Sequence, residues 1–588
     1  MKDELKNNVS SSAYENIITW LNKEKYEQYK DELERLIDEK QWGELDDSFF
    51  KIVEFGTGGR RGRTGIGSNR INRVTIGEST QALCAYASLV DAKAAEKGVV
   101  IACDTRLSSK ELSEYTASVC AANGFKTYIF ENFRSTPELS FAVRHLGTAI
   151  GIVISASHNP PADNGFKAYW SDGGQLVSPH DTKVIEIASE ISTIQSMNFD
   201  EAVMSGLIQV IGQDVDDAYL NAVADQSEGS ARDLSIVYSP LHGAGQTNVL
   251  PALRKVGFNE IHLVESQMTP DGNFPTVKDF KPNPEEKAAN EPAVTLMMEK
   301  KADIAITNDP DADRIGVIVR HNDTPVYLNG NQSAVLAASY TLKKLKEKGT
   351  LSDTHYLAKT IVTTDMLSAL ANHYKVTMYT DMLIGFKYIG RLLREKENTD
   401  EIFVLGGEES YGLLKGTYAR DKDGATGALP LAEYAAELKL EGKTLYDELL
   451  ELYKNHGLYV ETLDSAHFEG ASGFHKMERV MESLRNVAPT QVDGHPVTSV
   501  IDYNALTSTD TLTGTKQIVD CDKGNVIVLV LDGDARRRIT IRPSGTEPKI
   551  KLYIQWYDDA DGDVETQSIS THKMLQAISK KLQAQLLE

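Results

Sequence analysis

The sequence predicts an α/β protein: three similar domains with mixed, largely parallel sheets and a C-terminal α+β domain, arranged around one central cleft. The chain has 588 residues, far more than one hydrophobic core usually supports. From about residue 98 onward, a pattern of short apolar strand, helix, strand, helix, strand and polar loop occurs three times. After about residue 457 this rhythm stops, and an alternating strand is predicted at 549–556.

The first 50 residues are predicted to form a helical extension that docks on the rest of the chain. Ser12 and Glu15 have the spacing of a capping box, and apolar residues such as Ile17 and Leu21 follow at helical spacing. We therefore expect helices but no functional site in this segment.

Each repeat has three predicted strands, and its polar loop leaves the third strand. Strands that alternate with helices favour parallel pairing with right-handed crossovers, and ligands bind beyond the carboxyl ends of such strands. The predicted strands are 99–103, 126–130 and 150–155, then 234–238, 260–265 and 303–307, then 355–359, 376–379 and 401–405. The predicted units are the extension at 1–50, domain 1 at 51–205, domain 2 at 206–328, domain 3 at 329–456 and domain 4 at 457–588.

The composition argues against several classes of function. The formal net charge of −23 is unsuited to nucleic acid, since duplex binding depends on Lys and Arg, so a phosphorylated ligand must be met by a local cationic site. Candidates are the cluster Arg60, Arg61 and Arg63 and the run 536–538, with solvated surface as the alternative. The four cysteines lack C-x-x-C spacing, no apolar stretch approaches the ~20 residues of a membrane span, and the N-terminus has no signal-type run. We expect a cytoplasmic protein with neither nucleic-acid nor membrane partners.

Three aspartates follow the third strand of the second repeat at alternate positions. In an extended backbone, the side chains of Asp309, Asp311 and Asp313 point the same way. Their carboxylates suit Mg²⁺ or Ca²⁺ and leave coordination places for water or a phosphate oxygen. An EF-hand is excluded, since Gly is missing at its sixth position and Arg320 stands where the twelfth needs Glu. The pattern predicts a metal site, with a solvated acidic turn as the alternative.

A serine beside two stiffening prolines follows the third strand of the first repeat. The loop 156–161 reads Ala-Ser-His-Asn-Pro-Pro and is not the G-x-S-x-G turn of a serine esterase. A phosphorylated Ser157 would be a strong anion, able to complete the coordination of a cation on the aspartate loop. Taken alone, a serine beside Asn-Pro is more often a turn residue, but the two loops together predict a phosphate-carrying side chain.

Two further loops carry groups suited to a sugar phosphate. In the third repeat, Glu408 and Ser410 place an acceptor and a hydroxyl after a tight turn, which suits a pair of sugar hydroxyls; a helix N-cap is the alternative. In the C-terminal domain, a guanidinium, two hydroxyls and a glycine are the groups that a phosphate-binding loop needs, and a structural turn is the alternative. These residues are Arg542, Ser544, Gly545 and Thr546.

With these residues in place, the chain resembles the alpha-D-phosphohexomutase superfamily, which includes the phosphoglucomutases and phosphomannomutases, over nearly its whole length past residue 50. Four separated motifs occur in the family's order: the phosphoserine loop 156–160, the metal loop 309–314, the sugar loop 407–410 and the phosphate loop 542–546. The Glu-Glu-Ser form of the sugar loop is most similar to the phosphoglucomutases. Relatives that handle mannose or glucosamine tend to show another middle residue and a nearby histidine.

The resemblance implies roles for residues that spacing alone does not single out. Arg61 resembles the arginine that faces the phosphoserine in the family. Lys167 is similar to the family's candidate general acid or base, with His158 in reserve. Lys387 would touch the substrate from a specificity loop, although Ile384 stands where the glucose-type enzymes usually carry Thr.

The activity that the resemblance implies is phosphosugar mutation. Phosphorylated Ser157 would donate its phosphoryl group to a hexose monophosphate, and the bisphosphate would reorient and return its other phosphate. The implied cofactors are Mg²⁺, held by Ser157 with the three aspartates, and glucose 1,6-bisphosphate as activator. Arg314 and the phosphate loop would bind the substrate.

The same resemblance favours glucose phosphates as substrates. Mannose and pentose phosphates are the alternatives, and a metal-dependent sugar phosphatase or a non-catalytic sugar-phosphate sensor are the rival classes. The implied partners are therefore small hexose phosphates, and the chain is expected to be a monomer or a homodimer.

Overall fold

The computed structural model of the protein describes residues 2–53, 55–56, 59–468, 473–544 and 549–587. The first segment is helical, as predicted, with α1 Lys2–Asn8, α2 Ser11–Asn22, a 3₁₀ helix Glu24–Tyr29, α3 Lys30–Asp38 and α4 Trp42–Phe49. The cap of α2 is Ser10 and not the predicted Ser12, because the Ser10 hydroxyl accepts from the amide of Ala13 and donates to Asp46 at 2.6 Å.

The N-terminal helices dock on domain 1 through an aromatic cluster. The ring of Trp20 stacks on Tyr26 with centroids 4.3 Å apart and meets Phe49 edge-on at 5.3 Å. Ile66 and Val74, which belong to the following domain, complete the same buried cluster. The extension is therefore part of the folded body.

Domain 1 is built on a seven-stranded mixed sheet with the order β1-β2-β6-β5-β3-β4-β7. The strands are β1 Phe55–Gly56, β2 Gly59–Arg63, β3 Val99–Cys103, β4 Thr127–Phe130, β5 Ile150–Ile154, β6 Asp163–Trp170 and β7 Ile208–Ile211. The helices are α5 Arg73–Val90, α6 Ala94–Lys97, α7 Ser109–Ala122, α8 Thr136–Leu146, α9 His180–Glu190 and α10 Phe199–Met204. Because β7 pairs with β4, this sheet extends past the boundary predicted between residues 205 and 206.

Domain 2 has a five-stranded sheet with the order β12-β11-β10-β8-β9, and domain 3 has a four-stranded sheet with the order β14-β13-β15-β16. Domain 2 contains α11 Gln213–Ala224, β8 Ile236–Ser239, α12 Val249–Lys255, β9 Ile261–Leu263, α13 Glu265–Met268, α14 Lys287–Lys300, β10 Ile304–Asn308, β11 Ile315–His321 and β12 Thr324–Leu328, with short 3₁₀ helices at Ala244–Gln246 and Lys278–Phe280.

Domain 3 contains α15 Gly330–Glu347, β13 His355–Lys359, α16 Met366–Tyr374, β14 Thr377–Tyr379, α17 Phe386–Lys396, β15 Ile402–Gly407, β16 Leu413–Lys415, α18 Gly424–Leu440 and α19 Leu445–His456.

The three domains share one core of strands, which explains the repeat in the sequence. Each has a parallel triplet, namely β4-β3-β5, β9-β8-β10 and β14-β13-β15. Each triplet is followed by an antiparallel strand, β6, β11 or β16, which the sequence analysis did not identify. The polar loops are thus the connections between the last parallel strand and this antiparallel strand.

Domain 4 is an antiparallel sheet covered by two helices, in agreement with the α+β prediction. The sheet order is β17-β24-β23-β22-β19-β20-β21, with β18 paired to β19. Its elements are β17 Leu458–His467, α20 Gly473–Asn486, β18 Gln491–Val492, β19 His495–Asp502, β20 Thr507–Asp510, β21 Lys516–Ile518, β22 Ile527–Leu531, β23 Asp534–Pro543, β24 Lys549–Asp558 and α21 Val564–Leu587. Among the described helices, none has the length and apolar character needed to cross a membrane.

Candidate active site

The phosphoserine loop and the metal loop meet at the carboxyl ends of β5 and β10. The hydroxyl of Ser157 donates to Oδ2 of Asp309 at 2.6 Å, although the two residues lie 152 positions apart. Both side chains are buried, with Ser157 only 2% exposed. Two loops that the sequence analysis linked on chemical grounds are therefore in direct contact.

The backbone of the phosphoserine loop is held in an unusual conformation. Ser157 has φ of +53°, in the left-handed region that costs a non-glycine residue roughly 1 kcal/mol or more. Its amide donates to the Ser155 hydroxyl at 2.8 Å, which itself donates to the carboxylate of Asp104 at 2.7 Å. The buried guanidinium of Arg106 donates to the Ser157 carbonyl at 2.6 Å. This network presents the Ser157 hydroxyl to the aspartates.

The three aspartates converge because the chain turns, which corrects the expected extended backbone. The amide of Ala312 donates to the Asp309 carbonyl at 2.9 Å, and Ala312 has φ of +54°. One ligand atom from each of Asp309, Asp311 and Asp313 lies within 4.8 Å of the others. The carboxylates are buried, so the alternative of a solvated acidic turn is excluded.

The donor set fits a divalent cation. Asp311 Oδ1 and Asp313 Oδ1 are buried without a hydrogen-bond partner among the described residues, although buried carboxylate oxygens are costly when they are left unpaired. Burial, together with the charges of Asp313 and Asp311, raises the pKa of Asp309 well above its usual range. Mg²⁺ prefers hard oxygen donors such as these three carboxylates, and a bound cation would relieve the repulsion between their negative charges.

Two lysines face the aspartates from other domains. Lys167 Nζ, on β6, lies 2.6 Å from Asp311 Oδ2 and 3.3 Å from Asp313 Oδ2. Burial lowers the pKa of Lys167, but the two carboxylates outweigh burial and raise the pKa above its ordinary value. Lys422 Nζ, in the loop before α18, lies 2.9 Å from Asp313 Oδ2, and the sequence analysis did not single it out. In the sequence, the charged run 420–423 just before Gly424 is the feature that could have indicated Lys422 as a site residue.

His158 and Arg61 lie beside Ser157. His158 Nδ1 is 3.3 Å from the Ser157 hydroxyl. Burial and the neighbouring charges of Arg314 and Arg61 lower the pKa of His158 well below its usual value, so the ring is neutral. Arg61, on β2, donates from Nη1 to the side-chain oxygen of Asn159 at 3.3 Å, which places its guanidinium against the phosphoserine loop.

Arg314 stands beside a backbone hydrogen bond that connects the residue after the metal loop with the residue after the sugar loop. Its guanidinium lies 2.6 Å from Glu285 Oε1, and the backbone carbonyl of Tyr411 accepts from the amide of Ile315 at 3.0 Å. Glu408 is 4% exposed, and burial raises its pKa to about 7 although Lys422 acts against it. Ser410 is half-buried beside it.

Lys387 and the phosphate loop are placed by domains 3 and 4. Lys387 Nζ is 3.5 Å from Asp181 Oδ2 of domain 1, and burial lowers the pKa of this lysine. Arg542 pairs in register with Lys551 across β23 and β24, and the amide of Ser544 donates to the carbonyl of Lys549 at 2.8 Å. Gly545 and Thr546 lie outside the described residues.

Most arginines of the two basic clusters predicted from the sequence form ion pairs. In the run 536–538 the guanidinium groups pair with Asp534, Asp558 and Asp365, respectively. Arg60 is buried and lies 3.5 Å from Glu78. These arginines therefore stabilise the fold, and Arg61 is the member of its cluster that reaches the phosphoserine loop.

Comparisons with known proteins agree with this geometry. Residues 53–195, 217–322 and 329–456 match the phosphoglucomutase/phosphomannomutase alpha/beta/alpha domains I, II and III. A phosphoglucomutase of Staphylococcus aureus (strain MRSA252) is 34% identical over 514 residues, which cover 87% of this chain and 91% of that protein. The chain belongs to the phosphoglucomutase/phosphomannomutase family. It is a phosphosugar mutase, an isomerase of carbohydrate metabolism that transfers phosphoryl groups.

Solved structures of the family share the fold. The Paramecium phosphoglucomutase pp63/parafusin, in an open form, has a TM-score of 0.65 at 18% identity and covers 91% of this chain and 95% of its own. A phosphoglucomutase/phosphomannomutase family protein from Burkholderia thailandensis has a TM-score of 0.61 at 19% identity, with coverages of 89% and 97%. The family architecture of three α/β domains and a C-terminal sheet-rich domain therefore extends to this chain.

Proposed function

We propose that this phosphosugar mutase interconverts α-D-glucose 1-phosphate and glucose 6-phosphate through a phosphorylated Ser157. The observation that carries the proposal is the 2.6 Å contact between the Ser157 hydroxyl and Asp309 within a buried carboxylate cluster. The choice of glucose is supported by the phosphoglucomutase of Staphylococcus aureus and by the Glu-Glu-Ser sequence of the sugar loop.

In the first half of the cycle, the bond between phosphorus and Ser157 Oγ breaks as a bond to the sugar hydroxyl oxygen forms. The sugar hydroxyl gives up one proton and Ser157 Oγ takes up one, so the step is balanced. His158, with Nδ1 at 3.3 Å, is placed to exchange the proton of Ser157: the neutral ring accepts this proton when Ser157 attacks, and it must carry an added proton when Ser157 leaves. Lys167 is the candidate for the proton of the sugar, and it can accept this proton only when Asp311 and Asp313 are neutralised, because these carboxylates hold its pKa above the ordinary value.

In the second half, Ser157 Oγ attacks the other phosphate of the reoriented bisphosphate. The sugar oxygen leaves with a proton from Lys167, and His158 accepts the proton of Ser157, as microscopic reversibility requires. Arg61 would balance the charge of the moving group, while Glu408, Ser410 and Lys387 bind the sugar phosphate.

The phosphate that does not react would be held by the phosphate loop together with Arg314. Arg542, Ser544, Gly545 and Thr546 would accept either end of the bisphosphate, which permits the exchange of position. Closure of domain 4 over the cleft would exclude water and protect the phosphoserine from hydrolysis.

The cation we propose is Mg²⁺, held by Asp309, Asp311, Asp313 and an oxygen of the phosphorylated Ser157. When bound, Mg²⁺ supplies positive charge that stabilises the transferring phosphoryl group. Glucose 1,6-bisphosphate is the proposed activator, since it can restore the phosphate on Ser157. A cytoplasmic location is supported by the free thiols of all four cysteines.

The proposal is tested with Ser157→Ala. The parent enzyme, given glucose 1-phosphate, Mg²⁺ and a trace of glucose 1,6-bisphosphate, should form glucose 6-phosphate, and its intact mass should show one phosphate. The variant should lose both the phosphate and about 10⁴-fold or more in kcat, because the carrier of the group is gone.

Control assays separate the other reactions of this site. Release of inorganic phosphate at the rate of sugar-phosphate loss would identify a phosphatase. Turnover of ribose 1-phosphate or mannose 1-phosphate in the absence of turnover of glucose 1-phosphate would overturn the substrate choice. A Ser157→Ala protein as fast as the parent would overturn the mechanism.

A further inference from the structure

Arg106 holds the phosphoserine loop more completely than any residue identified from the sequence. Its Nη2 donates to the carbonyls of Ser157 and Asn159 at 2.6 and 2.5 Å, and its Nη1 donates to those of Pro160 and Asp163 at 2.7 and 2.9 Å. The Arg106 side chain is 1% exposed. The position of this one guanidinium therefore sets the position of the whole loop.

The guanidinium of Arg106 is itself covered by a residue of domain 2. The ring of Phe274, which is fully buried, lies 5.2 Å from the Arg106 guanidinium carbon. The backbone at Gly272 also packs closely against the backbone that follows Arg106, since a Cβ at Gly272 would lie 2.4 Å from the amide nitrogen of Leu107. The segment 269–277 thus packs directly on the residue that shapes the phosphoserine loop.

His242 connects the two ends of this segment. Its Nδ1 is 2.8 Å from the carbonyl of Thr269, and its Nε2 is 2.8 Å from the hydroxyl of Thr276. Because a carbonyl oxygen only accepts, Nδ1 donates to Thr269. His242 is 2% exposed, and its backbone has φ of +64° in a loop that follows β8.

The loop that carries His242 also supports the metal loop. The amide of Ala244 donates to the carbonyl of Pro310 at 2.7 Å. A Cβ at Gly243 would lie 2.3 Å from the Cα of Pro310, so the two backbones are in van der Waals contact. Pro310 stands between the ligand candidates Asp309 and Asp311.

We propose that residues 240–246 and 269–277, which we call the brace, fix the distance between the Ser157 hydroxyl and the aspartate cluster, with His242 and Phe274 as positioning residues. One side of the brace contacts the metal loop at Pro310, and the other contacts the phosphoserine loop through Arg106. The two chemical loops belong to different domains, so a common support keeps their relative position constant. This inference rests on the proposed function.

Phe274→Leu tests the inference, with Phe258→Leu as the matched control. Phe258 is also a fully buried phenylalanine of domain 2 with an arginine over its ring, since the Arg232 guanidinium carbon lies 5.0 Å from the centroid. Both variants should lower the melting temperature. Only Phe274→Leu should lower kcat, by about 10-fold, because small displacements of reacting groups cost large factors in rate.

The split between kcat and KM distinguishes positioning from loss of stability. The KM for glucose 1-phosphate should stay within about twofold in Phe274→Leu, since the sugar and phosphate loops are unchanged. Rapid-quench transfer from phosphorylated enzyme to sugar should slow by the same factor as kcat. Transfer at the parental rate in Phe274→Leu would overturn the inference.

Thr276→Val is a milder variant for the case that Phe274→Leu fails to fold. Thr276 is exposed, and valine removes only the hydroxyl that bonds His242 Nε2. We expect kcat to fall about threefold, while Thr276→Ser retains the hydroxyl and the parental rate. Equal rates in the Val and Ser variants would contradict the role of His242. A parent enzyme that forms no phosphoenzyme would instead refute the proposed function, so the two failures are distinguishable.

Discussion

Glu408 illustrates how a single residue acquires its chemistry from its place in the fold. The sequence shows only an acid after a tight turn, one of two adjacent glutamates. In the structure its carboxyl group is 4% exposed, and burial raises its pKa to about 7, partly opposed by Lys422. A group with this pKa changes its charge within the physiological range.

We therefore predict a pH-dependent KM that originates at Glu408. Below about pH 7 the carboxyl group gains a proton and loses its capacity as a charged acceptor for sugar hydroxyls, so the KM for glucose 1-phosphate should rise as the pH falls. In Glu408→Gln the KM should be higher than in the parent at pH 8 and should change less between pH 8 and pH 6. The substrate phosphate titrates equally in both assays, so identical pH profiles would contradict the assignment.

At the scale of elements, the N-terminal helices do more than cover the surface of domain 1. Lys25, in the 3₁₀ helix, donates from Nζ to Glu78 Oε1 at 2.7 Å and to the carbonyl of Ile191 at 2.8 Å. Glu78, on α5, also lies 3.5 Å from Arg60, the residue before Arg61 on β2. A residue of the extension thus contacts the support of the strand that carries Arg61.

Lys25→Met is predicted to destabilise the protein and to lower its activity. The methionine leaves Glu78 buried with Arg60 as its remaining cationic partner in the described structure, which should cost about 3 kcal/mol in the free energy of unfolding. Denaturant unfolding measures this loss, and kcat should fall because β2 is less well held. Lys23→Met, at an exposed neighbouring position, is the control and should change neither value.

At the scale of the whole molecule, domain 4 is joined to domain 3 by partly buried polar contacts. Asp365 Oδ1 lies 2.9 Å from Lys359 Nζ, and its Oδ2 lies 2.6 Å from Arg538 Nη1 of domain 4. Burial alone would raise the pKa of Asp365, but the two cations outweigh burial and lower it. The stability from this cluster is therefore present above the ordinary pKa of an aspartate and is lost as the pH falls below it.

Asp365→Asn should weaken the attachment of domain 4. The change leaves Lys359, which is 1% exposed, without its carboxylate, and a loss of about 3–5 kcal/mol in the free energy of unfolding is expected. Because the phosphate loop belongs to domain 4, the KM for glucose 1-phosphate should rise as well. Asp353→Asn, at an exposed position of domain 3, is the control, and an equal effect of the two variants would contradict this role.

The sequence by itself determined the class of fold and the four motif loops. The repeat of strand and helix is a local signal, since each strand is a short apolar run, and the motif residues lie together in the chain. The family resemblance is confirmed. The roles of Ser157, the three aspartates and the other site residues stay predictions, as do the domain boundaries.

Only the tertiary structure decided which residues from distant segments act together. The antiparallel strands β6, β11 and β16 follow the polar loops in the chain, and the sequence pattern of strand and helix did not include them. Arg106, Lys422 and His242 have no motif of their own, and each contacts residues that are distant in the chain. The physical reason is that hydrogen bonding, burial and pKa depend on distances between atoms in space, and a linear pattern reports those distances only between near neighbours in the chain.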